Sequence, residues 1–285
     1  MASSSTALKT IRFGHSPDAD DAFMFYGIAN GMVDTQGLKI EHVVEDIESL
    51  NKRALQGELE VTAISVHAYA YVADRYAIMT SGASMGDNYS PILVSKDDFP
   101  LSDLKDKTVA VPGQYTSAYL ALQLLNRDFA PVFIPFDHII PAVQSGMVDA
   151  GLVIHEGQLT YRESKLKNLL DLGRWWFQKT SLPLPLGVDV VRKDLPADLQ
   201  KKIARVFKDS IEVALKHRDA ALAYALEWGR GMTQEQGDKF VGMYVNELTV
   251  DCGERGRKAT ELLLNSAADA KIIPHRVNLE FISPE

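Results

Sequence analysis

The sequence predicts an α/β fold of two similar lobes that meet at a cleft. Three observations carry this reading. Short apolar runs alternate with helical segments, the pattern of parallel strands joined by crossover helices. Two stretches of the chain repeat one plan. The length, 285 residues, corresponds to about two domains at roughly 150 residues each.

The first stretch opens with a strand at residues 11–14, which runs into a polar loop at 15–21. A helix at 22–30 follows and stops at Gly31. A strand at 38–44, a helix at 47–55 and a buried apolar strand at 61–65 complete the unit. The second stretch has a strand at 108–111, then Pro112-Gly113-Gln114-Tyr115 and a helix opening at Thr116 or Ser117. A strand at 132–134, a helix at 139–145 and a strand at 150–154 follow. Trp175-Trp176-Phe177 precedes a segment at 182–187 in which prolines alternate with leucines. Such a segment is stiff and extended. It reads as a crossover packed on aromatics, with an apolar wall for a ligand as a second role, and it feeds a strand at 187–191. Beyond Pro196 the chain is mostly helical, with Ile203, Val206, Phe207, Ile211 and Ala214 at helical spacing.

Two echoes tie the stretches together. Lys9-Thr10 and Lys107-Thr108 each precede strand, polar loop and helix. Ala54-Leu55-Gln56-Gly57 with Glu60 and the strand at 61–65 matches Ala142-Val143-Gln144-Ser145-Gly146 with Asp149 and the strand ending at His155. The expected organisation is lobe one from residues 1–93 and 190–285, with lobe two, 94–189, inserted into it.

Composition removes several classes. The formal charge is −8, so the chain offers no basic footprint for nucleic acid or an anionic membrane. One cysteine, Cys252, allows neither an intrachain disulfide nor a Cys-pair zinc site. No apolar run approaches the ~18 residues of a membrane span. The start has no basic residue followed by an apolar core, so it does not read as a leader, and a cytoplasmic protein is expected.

Strand ends and helix starts line a cleft of this kind, and they select four places. The loop Ser16-Pro17-Asp18-Ala19-Asp20-Asp21 is dense in acids. A calcium loop counted from Asp18 would need Gly and Glu where Phe23 and Ala29 stand, so that reading fails. Helix capping is the first reading of these acids. Presentation of backbone N–H groups and acceptors to a hydroxylated ligand is the second. Gln114-Tyr115-Thr116-Ser117 opens a helix whose free N–H groups suit an anion, or simply an N-cap. His155, at the end of an apolar strand, is either a general base or a histidine satisfied by a local carbonyl. His67 follows Ser65 similarly but reads as structural. Phosphate-loop, dinucleotide, nucleophile-elbow and zinc-protease patterns are all missing, and no histidine pair has metal-ligand spacing.

These motifs, taken in order, resemble the 1,4-dihydroxy-6-naphthoate synthase family of the futalosine route to menaquinone. The matching pieces begin with Ser16-Pro17, Asp21 and Phe23, then Glu45-Asp46 with Leu50-Asn51, and Ser65 with His67-Ala68-Tyr69-Ala70. Val111-Pro112-Gly113 with Thr116, Ala118 and Tyr119 comes next, then Ile154-His155-Glu156 and Thr160-Tyr161. Asp171-Leu172-Gly173 with Trp175-Trp176 and the Leu-Pro repeat close the match. The resemblance spans about residues 11–192. It implies a two-lobed type II periplasmic-binding-protein-like fold, with mixed sheets flanked by helices. It also implies cleavage of cyclic dehypoxanthinyl futalosine, an anionic small molecule, to the dihydroxynaphthoate with release of a three-carbon fragment. No cofactor and no metal are implied. His155 is the expected base; Ser16, Asp21, Asp46, Ser65, Gly113, Thr116, Ser117 and Glu156 are the expected substrate contacts. A homodimer is the assembly held open.

The chain departs from the family pattern in one loop. Asp18, Ala19, Asp20 and Ala22 stand where the pattern has Cys, Pro, Asn and Thr. Gln114-Tyr115 also replaces a basic-polar pair. Two other readings share the scaffold. Chorismate dehydratase typically has Gly-Asp where this chain has His155-Glu156. A transporter's solute-binding protein would carry an export signal or lipid-anchor cysteine.

Overall fold

In the computed structural model, residues 9–284 are described. Residues 1–8, on which the leader reading rests, lie outside them. Five strands come first: β1 (Lys9–His15), β2 (Leu38–Val44), β3 (Val61–Ser65), β4 (Tyr76–Met79) and β5 (Ser84–Gly86). The next five are β6 (Ile92–Ser95), β7 (Thr108–Val111), β8 (Ala130–Phe133), β9 (Ala150–Val153) and β10 (Lys167–Asp171). β11 (Leu184–Arg192) and β12 (Phe281–Ile282) follow.

These strands form two mixed sheets. The first has the order β12-β4-β11-β3-β1-β2, with β5 paired to β11; the second is β10-β6-β9-β7-β8. Their cores share one arrangement. In the first sheet, β1 lies between β2 and β3, all parallel, and β11 runs antiparallel beside β3. In the second, β7 lies between β8 and β9, all parallel, and β6 runs antiparallel beside β9. The strand echoed at 61–65 and the one echoed at 150–154 are thus the corresponding strands β3 and β9. Each follows a helix closed by a left-handed glycine, Gly57 after Ile47–Gln56 and Gly146 after Ile139–Ser145. Glycine fits there because it has no Cβ to clash at positive φ.

The chain changes sheet at Ile92 and again at Leu184, slightly ahead of the lobe boundaries expected at 94 and 190. β11 begins inside the Leu-Pro run rather than at Gly187. Pro185 pairs opposite Met85 and the register shifts before Gly187, as expected where proline removes a ladder donor. Trp176, on the helix Leu172–Thr180, is buried and donates its Nε1–H to Pro183 O at 3.1 Å. The aromatic pair therefore fixes the path of this return segment, and Leu186, Gly187 and Val188 also wall the cleft.

The first helix is Ala19–Ala29, three residues earlier than periodicity alone suggests. Asp18 is its N-cap and accepts from Asp21 N at 3.3 Å. The acidic loop is thus the first turn of the helix, as capping chemistry allows. The C-terminal helices pack on the first sheet. Ser210, in the helix Ala197–Lys216, donates to Met24 O at 2.7 Å and accepts from Ile28 N at 3.1 Å. Gly27 permits that approach, since a Cβ there would lie 3.0 Å from the Ser210 backbone. Phe13, Phe25 and Phe207 form the buried aromatic centre of this packing.

Candidate active site

A cavity of about 100 Å³ lies where the ends of β1, β3 and β9 face the start of the helix Ser117–Leu125. His155 stands at its wall, just past β9, in a left-handed conformation (φ 52°) that non-glycine residues seldom adopt. Its Nδ1 is 2.9 Å from Asp18 Oδ2. Its ring meets Phe136 edge-on at 4.8 Å. The Nε2 is buried and has no partner among the described residues. Burial opposes a charge on this ring, but the Asp18 carboxylate outweighs it, so the histidine is more basic than usual. Asp18 is correspondingly held ionised, well below the ordinary carboxylate range: burial works against the charge, and the contacts with His155, Asp20 and Ser16 prevail.

The other acids of the cavity behave oppositely. Burial first, then the charges of Asp18 and Asp21, push Asp20 far above the ordinary range. Asp21 is raised in the same direction by burial, Asp18 and Asp189, and it accepts a hydrogen bond from Ser16 N at 2.6 Å. Asp189, inside β11, is raised by burial alone. Asp18 is therefore the carboxyl held ionised, while burial disfavours the charged form of the other three.

Hydroxyl groups complete the lining, and most are already engaged. Ser65 accepts from Asn51 Nδ2 at 3.1 Å, and its N–H donates to Asn51 Oδ1 at 2.8 Å. Thr116 is the N-cap of its helix and donates to Gly113 O at 2.9 Å. Ser117 donates to Leu186 O at 2.6 Å and accepts from His67 N at 3.2 Å. Ser16, Asp21, Ser65, Thr116, Ser117 and His155 all line the cavity.

Asp46, Gly113 and Glu156 do not. Asp46 caps the helix Ile47–Gln56 by accepting from Glu48 N and Ser49 N. Glu156 pairs with Arg230 at 3.0 Å, and both line a separate pocket. Gly113 packs against Glu48, whose carboxylate accepts from Gln114 N and Tyr115 N at 3.0 and 3.1 Å. Two of the N–H groups expected to suit an anion, in the loop ahead of the Thr116 cap, are therefore taken by the protein's own Glu48. A Cβ on Gly113 would lie 2.4 Å from Glu48 Oε2, so glycine is required for that seat. Asp46 and Gly113 line a neighbouring outer groove instead, with Lys52, Phe133, Phe136 and Arg230 among its other walls.

His67 is structural, as its sequence context suggests. It is buried, its Nδ1 is 3.3 Å from Thr116 O, and burial lowers its pKa to about 4. Asp18, Asp20 and Asp189 escaped the sequence-based choice of site residues. Asp189 did leave a signal, an acid within the otherwise apolar run Val188 to Val191. Asp18, Asp20 and His155 bring possible metal-ligand atoms within 4.8 Å of one another. The His155–Asp18 hydrogen bond and the contact between the two carboxyls account for this clustering with protons alone.

A family model described as menaquinone biosynthesis matches residues 11–269. The chain is 39% identical over 260 residues to a 1,4-dihydroxy-6-naphthoate synthase of Thermus thermophilus, covering 91% of this chain and 94% of that protein. It is 35% identical over 271 residues to the enzyme of the same name from Streptomyces coelicolor, covering 93% and 95%. Among solved structures, a protein from Archaeoglobus fulgidus superposes with a TM-score of 0.89 at 48% identity, covering 93% and 98% of the two chains. The alkanesulfonate-binding protein SsuA of Xanthomonas axonopodis pv. citri superposes at 0.70 with 12% identity, over 94% and 95%. That last likeness is one of fold, the periplasmic-binding-protein scaffold.

Proposed function

The chain belongs to the menaquinone-biosynthesis family and has the 1,4-dihydroxy-6-naphthoate synthase activity of its relatives; we propose that His155 is the base of that reaction. The supporting observation is its pairing with Asp18, which leaves Nε2 free at the cavity wall.

In this reading the Asp18 carboxylate accepts the Nδ1–H, fixes the tautomer and turns the Nε2 lone pair toward the substrate. The substrate is cyclic dehypoxanthinyl futalosine. His155 takes a hydroxyl proton, the oxygen's electrons form a new carbonyl, and the adjoining C–C bond breaks in a retro-aldol-like step. The pair from that bond leaves with the three-carbon fragment as the enolate of its own carbonyl and is protonated there, while the new carbonyl stays on the ring, whose diketone form tautomerises to the dihydroxynaphthoate. Asp18 stabilises the imidazolium formed meanwhile. Contacts that bridge the two sheets, including Glu48 on the 114–115 backbone and Arg230 on Glu156, hold the cleft closed around the reacting groups.

The test is conversion of cyclic dehypoxanthinyl futalosine by the purified protein, followed by chromatography of the naphthoate. A protein that binds the compound without turning it over is a receptor rather than the enzyme proposed here.

A further inference from the structure

Four buried polar atoms of residues that line the inner cavity have no partner among the described residues: His155 Nε2, Asp20 Oδ1, Asp189 Oδ1 and Ser16 Oγ. Buried polar atoms are normally hydrogen-bonded. Four of them on one cavity mark it as shaped around the polar groups of a ligand. The mechanism above uses only the first.

The electrostatics of the lining say which groups those are. Asp18, Asp20, Asp21 and Asp189 line the cavity, and neither Lys nor Arg does. Its one cationic group, His155, is already paired with Asp18. A carboxylate placed here would meet ionised Asp18 with no other cation to offset it. Burial raises the pKa of Asp20 and Asp189 and so favours their uncharged acid forms. A carboxylic acid offers both a donor and an acceptor, which complements a hydroxyl group. The loop N–H groups of Gln114 and Tyr115, just ahead of the nearest helix, are already taken by Glu48. Size points the same way. At about 10–15 Å³ per water-sized position, the ~100 Å³ cavity admits a fragment of roughly six to ten non-hydrogen atoms.

We propose that this cavity takes the neutral, hydroxylated end of the substrate, read by Asp20 and Asp189, and that the substrate's carboxylate stays outside it. The hydroxylated end is the part released as the three-carbon fragment. The aromatic end then passes His155 into the outer groove, beside Phe133 and Phe136. Lys52 and Arg230 are the cations of that groove, with Asp46, Glu48 and Asp137 also on its walls. The naming of the two ends rests on the naphthoate-synthase reading; the preference for uncharged polyols does not.

The experiment is a calorimetric titration of the full chain with dihydroxyacetone and glycerol, and separately with acetate and malonate, at pH 7 and fixed ionic strength. Polyols are expected to bind at least tenfold more tightly than carboxylates. Asp189→Ala is expected to weaken polyol binding and to raise KM about tenfold with a smaller change in kcat. Asp189→Asn, which keeps a donor and an acceptor of similar shape, is expected to retain both. Carboxylates that bind as well as polyols, absence of polyol binding, or an Asp189→Ala protein with unchanged polyol affinity and KM would overturn the proposal. Polyol binding without naphthoate formation removes the enzymatic reading and leaves this one standing. Turnover without polyol preference does the reverse.

Discussion

His155 Nδ1 lies 2.9 Å from Asp18 Oδ2, joining the second residue beyond β9 in the second sheet to the cap of the first helix. The same carboxylate therefore caps a helix and holds the imidazole. Catalytic geometry and closure of the cleft depend on one pair.

Replacing His155 by alanine removes the base and leaves the walls in place. The expected result is a kcat lower by about 10²–10⁴-fold with substrate binding largely retained. Steady-state turnover alongside a direct binding titration checks this. A variant with wild-type kcat removes His155 from the mechanism.

Asp18→Asn keeps the shape of the pair and removes its charge. His155 must be unprotonated to act, so wild-type activity rises with pH through a histidine pKa above the ordinary value. Without the carboxylate, burial dominates and that pKa falls. The acidic limb of kcat/KM should therefore move to lower pH, with a reduced plateau because the imidazolium is less stabilised. A pH–rate profile reads both effects.

Asp189 carries a stability prediction with a definite sign. Its folded pKa lies well above the unfolded value of about 3.9. The folded state thus holds a proton that the unfolded state releases, and stability is lost as pH rises above ~4 until the folded pKa is reached. The loss approaches about 1.4 kcal/mol per pH unit for this one group. Asp189→Asn does not titrate, so its Tm should exceed the wild type above pH ~4 and the gap should widen toward neutrality. Thermal unfolding between pH 4 and 8 tests it; a constant gap would mean that Asp189 is ionised in the fold.

Glu48 seated on Gln114 N and Tyr115 N is a joint between the sheets. Glu48→Ala leaves both N–H groups without their acceptor. Gly113→Ala drives the same carboxylate away by placing a Cβ 2.4 Å from it. Both variants are expected to show a several-fold higher KM and a larger radius of gyration in small-angle scattering. If either keeps wild-type values in both measurements, the joint does not hold the cleft closed.

Much of the fold was legible along the chain. The strands at 38–44, 61–65 and 108–111 and the helix at 139–145 have the bounds that apolar patterning gives. Each is a short segment with clear punctuation, and Gly146 and the Asp46 cap supply local stops and starts. The helix at Ala19 and the strand at Leu184 began earlier than expected for local reasons with two outcomes. An acid run serves equally as loop or as capped first turn. A proline can occupy a strand where one ladder bond is dispensable.

The sequence by itself determined two matching α/β units, a base candidate in His155 and the family to which the chain belongs. Periodicity, caps and ordered motifs are local properties that one chain displays directly. Only the tertiary structure decided that Asp18 serves His155, that Asp189 faces the same cavity and that Glu48, 66 positions from Gln114, takes the loop N–H groups ahead of the helix. The charge of a carboxyl depends on which groups burial places beside it. That neighbourhood is set by the packing of distant segments, and no spacing along the chain encodes it.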